Sequence, residues 1–255
     1  LSVWSRSSRS STWRMHGRRY GTCGRRGEEA GWSTSTDGAV GNDVSDEARG
    51  NASEADEDQS GRLRDLVRSK GKSLLEGLNR AVHPFWRRGA RRRVRQVGIP
   101  SSVLFVCHGN ICRSPYAEGA LQRELPPLLR DAVELGSAGF VQPDRPSPGT
   151  AVTVAGERSV DLSRHRSRLI DADSIRSADL VFVMERGQRS TLRGRFPYAR
   201  VLLLGDLDPE RAGRRRILDP VAQDADVFRR VYDRIDRCVA ELATCFEEAA
   251  RDRSP

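Results

Sequence analysis

The sequence has few aromatic residues, few cysteines and no long apolar run. Phe, Trp and Tyr make up 6% of the 255 residues, and nothing approaches the ~18 consecutive apolar residues of a membrane span. The N-terminus does not show the apolar core, roughly two helical turns or more, of a secretory signal. Neither a membrane-spanning nor a signal-exported chain is expected. The five cysteines, Cys23, Cys107, Cys112, Cys238 and Cys245, are odd in number, irregularly spaced and without a CxxC pair. That pattern excludes a disulfide scaffold and a zinc knuckle, and a cytoplasmic setting is expected. Charge is also unevenly supplied. Of a net +9, residues 1–100 hold 20 basic and 12 acidic side chains, whereas residues 101–255 hold 24 and 23. The basicity belongs to the first part of the chain, so a wholly nucleic-acid-coating protein is excluded and no specific nucleic-acid partner is expected.

Three regions differ in composition. Residues 1–60 are rich in Ser, Arg and Gly and then in Asp and Glu, with too few aliphatic residues to offset the entropy of ordering a backbone. They read as a disordered extension. Over 61–96, Leu63, Leu66, Val67, Leu74, Leu75, Leu78, Val82 and Phe85 recur at helical spacing among Arg and Lys. This is a basic amphipathic helical segment, suited either to an anionic membrane surface or acidic partner, or to packing on the domain that follows. From 97 to 255 short apolar runs alternate with helical stretches. The runs are Ser102–Val106, Ala132–Leu135, Leu180–Val183 and Val201–Leu204; the helices fall near 115–124, 148–159, 188–194 and 224–249. Alternation of this kind predicts an α/β domain with a small doubly wound, four-stranded parallel sheet and helices on both faces.

Open parallel sheets bind ligands beyond the carboxyl ends of their strands. Directly after the first run stands Cys107-His-Gly-Asn-Ile-Cys-Arg113-Ser114-Pro115, with Pro115 placed for the first turn of a helix. A loop entering a helix N-terminus gathers backbone N–H groups around one point, where the helix dipole adds positive potential. Such a cradle, formed by His108, Gly109, Asn110, Ile111, Cys112 and Ser114, suits a tetrahedral oxyanion. Cys107 begins the loop, in a field that favours its thiolate. Arg113, six residues on, can grip two phosphate oxygens as a planar fork. Nucleophile, cradle and clamp together point to phosphoryl transfer to sulfur.

The segment Val103–Pro115 closely resembles the signature of the low-molecular-weight protein tyrosine phosphatases. The resemblance continues through Ser137-Ala-Gly139, Leu162–Ser167, Ala178–Met184 and Leu218-Asp-Pro220, and covers about residues 101–250. It implies that Cys107 forms a phosphocysteine intermediate, that Arg113 binds phosphate, and that Ser114 donates to the sulfur. It implies further that Asn110, Ser137 and His165 hold the loop in shape. Two Asp-Pro pairs, Asp208-Pro209 and Asp219-Pro220, compete for the role of general acid, and the resemblance selects Asp219. No metal or other cofactor is implied, because Arg113 and the loop amides supply the positive field. The expected partner is a phosphotyrosine protein; nothing in the sequence specifies an oligomeric state.

The sequence departs from the family pattern in places. Val221 and Ala222 stand where tyrosine-specific members commonly carry an aromatic wall, and His108 occupies a wall position often filled by an aliphatic residue. Ile111, where relatives resembling protein-arginine phosphatases carry Thr, favours an aryl phosphate. In the family Cys112 can form a reversible disulfide that protects the nucleophile. Arsenate reductases of this fold relay electrons through two further cysteines before the fourth strand, where this chain has none. A phosphotyrosine-binding module without activity would lack the nucleophile, the arginine or the acid, and all three are present.

Overall fold

Strand by strand, the sheet is built from residues that are apolar on both faces. A computed structural model describes residues 47–211 and 213–252, with side chains from residue 70 onward except Lys72. The strands are β1 (Ser102–Cys107), β2 (Glu134–Gly139), β3 (Leu180–Val183) and β4 (Val201–Leu203), all parallel, in the order β2-β1-β3-β4. Alternate side chains feed two cores. Val103, Phe105 and Cys107 of β1, with Leu180 and Phe182 of β3, face one; Leu104, Val106, Val181 and Val183 face the other. Burial on both faces requires the near-continuous apolar runs seen in the sequence.

The first core is covered by α2 (Arg113–Glu124), α4 (Gly149–Gly156) and α7 (Ala225–Arg251), and the second by α5 (Ala172–Ser177) and α6 (Arg186–Arg195). A short α3 (Pro127–Ala132) leads into β2. Phe228, Val231, Tyr232, Ile235, Cys238, Val239, Leu242 and Phe246 line one buried stripe of α7. This long apolar face holds the catalytic end of the sheet through a parallel stack of Tyr232 on Tyr116 of α2, with ring centroids 3.7 Å apart. The order of the strands makes β1 a switch point, with chain crossing to β2 on one side and to β3 on the other. The crevice at its carboxyl end is where such sheets bind ligands, and Cys107 is its last residue.

The N-terminal part differs from the expected boundaries. Residues 1–46 of the segment read as disordered lie outside the described residues. From Glu47 the backbone is already helical, and α1 runs Glu47–Val97. Glu47, Ala48, Ala52, Glu54, Ala55 and Glu57 are strong helix formers, a preference that the low apolar content concealed. Ala90 and Val94 of α1 belong to the first core, so the end of the helix packs on the sheet domain that follows. Arg87 and Arg91 reach Glu241 and Glu248 on α7, with Arg87 Nη2 2.6 Å from Glu241 and Arg91 Nη2 3.0 Å from Glu248. Trp86 lies under the Arg215 guanidinium, 4.2 Å from its ring centroid.

His83 is buried on this inner face of α1, and its Nε2 has no hydrogen-bond partner among the described residues. Burial holds its protonation below the ordinary histidine range; Asp208 and Asp206 oppose that shift, while Arg234 and Arg87 reinforce it. A histidine kept neutral in the fold binds its proton more readily once unfolded. Stability therefore rises with pH up to the unfolded value of about 6.5, and is lost as the pH falls below it. Denaturant titrations between about pH 7.5 and 5.5 should show the unfolding free energy declining on acidification, with a shallower decline in His83→Leu. An identical slope in the variant would place the titrating group elsewhere.

Candidate active site

The loop between β1 and α2 closes on the sulfur that begins it. Asn110 N–H donates to Cys107 Sγ at 3.2 Å, and Ser114 Oγ donates to it at 3.1 Å. Both donors reach the sulfur at the N-terminus of α2, where the helix dipole adds positive potential. Asn110 is the hub of the loop. Its φ of 50° lies in the left-handed region, which asparagine tolerates better than most residues. Its side chain Nδ2 donates to Ser114 Oγ and Ser137 Oγ, both at 2.9 Å, and its Oδ1 accepts from Arg168 N–H at 2.7 Å. His165 Nε2 donates to the Asn110 carbonyl at 2.7 Å. Ser137 and His165 thus meet the loop from β2 and from the segment before α5.

The other loop residues are placed by the neighbouring chain. The His108 carbonyl accepts from Phe140 N–H at 2.9 Å, while its side chain is exposed. The Gly109 carbonyl accepts from Arg145 Nη2 at 3.1 Å, and a Cβ at Gly109 would lie 2.7 Å from that nitrogen. Gly139, register partner of Cys107 on β2, lets the loop come close. A Cβ there would lie 2.9 Å from both Asn110 N and Asn110 Cβ. Ile111 is half-buried against the first core. Cys112, the N-cap of α2, is buried, and burial first, then the charge of Cys107, push its thiol up to about 12. The Cys112 thiol therefore stays protonated at neutral pH, and both loop cysteines are free thiols.

Arg113 is buried beneath the loop. Its Nη1 donates to Glu185 Oε1 at 2.7 Å and to the Ile217 carbonyl at 3.1 Å, and its Nη2 donates to Asp219. Its Nε is buried and has no partner among the described residues. Asp219 is half-exposed, in a turn where Val221 N–H reaches its Oδ1 at 3.4 Å and Gln223 N–H donates to the Pro220 carbonyl at 2.9 Å. Ala222 takes a φ of 62° to close that turn, and Asp224 then caps α7 through Val227 N–H at 2.8 Å. The competing aspartate is elsewhere. Asp208 is wholly buried, with its carboxylate held by Arg234 Nε at 2.9 Å and Arg237 Nε at 3.0 Å. That is a structural ion pair, and it leaves Asp219 as the aspartate at the loop.

A family model of low molecular weight phosphotyrosine protein phosphatases matches residues 102–254. The chain belongs to this family. Among its relatives, the low molecular weight protein-tyrosine-phosphatases Wzb and Etp of Escherichia coli K12 are 34% and 32% identical over 145 residues. That is 56% of this chain and 93% of each of theirs. The YwlE arginine phosphatase of Geobacillus stearothermophilus superposes with a TM-score of 0.54 at 28% identity, covering 61% of this chain and 99% of that one. Wzb of Vibrio vulnificus in complex with benzylphosphonate gives 0.50 at 30% identity, covering 56% and 97%. The phosphatase domain therefore accounts for the chain from β1 to α7, and none of these likenesses spans the whole of the chain.

Glu185, Arg145, Arg168, Gly139 and the Ile217 carbonyl were not found from sequence. Only Glu185 carried a usable signal: it follows β3 by two residues, at the carboxyl end of a central strand, where phosphatase ligands also lie. The two structural roles separate by experiment. Asp208→Asn should lower stability by about 2–3 kcal/mol, toward the low side for a buried pair because both arginines reach solvent, and leave turnover per folded molecule nearly intact. Asn110→Ala should cost on the order of 10²-fold in kcat through a displaced loop, with a smaller loss of melting temperature. Denaturation curves and p-nitrophenyl phosphate assays on both variants check the contrast; reversed outcomes would exchange the roles.

Proposed function

We propose that the protein is a metal-independent phosphatase of the cytoplasm that hydrolyses phosphotyrosine in protein substrates through a phosphocysteine intermediate. The observation that carries this reading is the set of groups left free to meet one oxyanion. These are a sulfur held by two donors, the loop amides above a helix N-terminus, and a buried guanidinium whose Nε has no partner. A phosphate dianion supplies acceptors for the amides and the guanidinium and presents its phosphorus to the sulfur.

In the first step Cys107 Sγ attacks phosphorus, the P–O bond to the tyrosyl oxygen breaks, and Asp219 gives that oxygen its proton. Before substrate binds, Asp219 rests on Arg113 Nη2. Phosphate oxygens take over that nitrogen, and the freed carboxylate, no longer paired with a cation, takes from solvent the proton that it passes to the leaving group. Glu185 keeps its hold on Nη1 at 2.7 Å, so the guanidinium stays oriented during the exchange. Ser114 Oγ–H remains on the sulfur as its charge returns. In the second step the Asp219 carboxylate takes a proton from water, whose oxygen attacks phosphorus; the S–P bond breaks, and thiolate and inorganic phosphate are regenerated. The positive charge that stabilises both transition states comes from Arg113 and the loop amides.

The aryl group is read from the rim. Ile111 on the loop, and Leu218 and Val221 on either side of Asp219-Pro220, expose apolar surface, with Leu218 and Val221 44–46% exposed. These give a smaller wall than an aromatic would, so weak binding of the ring with an intact chemical step is expected. Phosphoarginine is the second reading, prompted by the likeness to the arginine phosphatase. Arsenate reduction is disfavoured, because Cys238 and Cys245 are buried on α7 and burial pushes both thiols up.

Purified full-length protein should turn over a phosphotyrosine peptide at least about tenfold faster, in kcat/KM, than a phosphoarginine peptide of the same sequence. Cys107→Ser should abolish both activities. Asp219→Ala should slow hydrolysis by about 10²–10⁴-fold for phosphotyrosine, and less for p-nitrophenyl phosphate, whose leaving group needs little protonation. A preference for phosphoarginine would transfer the substrate assignment. Binding without turnover would make the domain a recognition module.

A further inference from the structure

We propose that α1 is a peripheral membrane anchor: its outward face binds a bilayer surface containing anionic lipid, while its opposite face carries the phosphatase domain. At about 100° per residue, His83, Ala90 and Val94 share one side of the helix, and all three are buried. On that side Arg87, Arg91 and Arg95 pair with Glu241 and Glu248 of α7. Glu76 pairs with Arg214, and Asn79 Nδ2 donates to the Gly213 carbonyl at 3.0 Å. The polar side of this amphipathic helix is therefore already taken.

The apolar side faces away from the domain. Leu74, Leu75, Leu78, Val82 and Phe85 lie within about a third of the helix circumference and are 67, 62, 55, 38 and 68% exposed. A surface helix ordinarily buries this stripe and shows its charges to water; α1 does the reverse. Farther along the same outward side stand Arg88, Arg92 and Arg93, exposed and without an ion-pair partner among the described residues. Glu76 is the sole acidic residue between Lys70 and Gln96, and it is turned inward. Between Lys70 and Gln96 the outward face is thus bulky and apolar over three turns, then cationic, with no negative charge.

Charge selects the occupant. A second copy laid stripe to stripe would bring unpaired arginines and lysines together. An anionic bilayer accepts the apolar stripe at the boundary of headgroups and acyl chains and neutralises the arginines at the surface. No helix among the described residues is long and apolar enough to cross a membrane, so the helix lies along the interface. The domain would then be held on the solvent side by the ion pairs to α7, close to phosphoproteins of the membrane surface.

The test uses the full chain and sedimentation with vesicles of phosphatidylcholine alone, or with about 30% phosphatidylserine. The protein should sediment with the anionic vesicles and not with the neutral ones. Raising salt from about 0.05 to 0.5 M should release most of it. Arg88→Gln/Arg92→Gln/Arg93→Gln should lower the partition coefficient at least about tenfold, and Leu74→Ser/Leu78→Ser/Phe85→Ser should do so at unchanged charge. Both variants alter surface positions outside the catalytic loop, so unchanged p-nitrophenyl phosphate turnover verifies the fold. Equal binding to neutral vesicles, no binding, or binding unaffected by the serine variant would overturn the proposal. So would a stable dimer that the serine variant dissociates, or stripe-dependent capture by a soluble polyglutamate peptide, since each gives the face to a different occupant.

Discussion

The proposed chemistry requires the loop after β1 to turn its amides inward around one anion. Backbone in that arrangement has no partner of its own for those amides, and it persists only when its neighbours over-determine it. Here the determination runs through Asn110. One side chain ties the loop to Ser114, to Ser137 on β2 and to the Arg168 backbone, while His165 takes its carbonyl. Those partners come from widely separated parts of the chain, so the loop can form only once the sheet has formed.

Arg113 is the second constraint. A guanidinium buried under the loop needs carboxylate company, and it has two carboxylates of different kinds. Glu185 stands two residues beyond β3, at the N-cap of α6, and Asp219 in the turn before α7. In the proposed mechanism Glu185 stays to orient the fork, and Asp219 leaves it to move protons. Asp208, paired in the interior with Arg234 and Arg237, shows what an aspartate does here when its role is structural: it is fully enclosed and saturated with contacts.

How much was legible depends on how local the determinant is. The Cys107–Pro115 loop stood out because the residues proposed as nucleophile, cradle and clamp lie in one continuous segment between an apolar run and a helix. β3 was located to the residue because both faces are buried and the run is unbroken; α7 was found from its long apolar stripe. β2 was placed too early, at 132–135. Its Gly136-Ser-Ala-Gly139 half has low strand propensity and is extended only because it pairs with β1. The six-residue helices α3 and α5 are too short to show a period. Glu185, Arg145 and Gly139 matter through contacts 36 to 72 residues away in sequence or across the sheet, which no window along the chain contains. On α1 the periodicity was visible, but the side that faces the domain was not. The arginines dock and the leucines do not, and only the positions of Glu241 and Glu248 decide that.

The phosphoryl group's passage through sulfur is the most direct test of the account. Rapid acid quench of full-length Asp219→Ala during p-nitrophenyl phosphate turnover, followed by peptide mass spectrometry, should find a phosphoryl adduct on the peptide that contains Cys107. The good leaving group permits the first step, and the missing base delays the second. Turnover with no adduct on that peptide, or with phosphate on another side chain, would contradict the account.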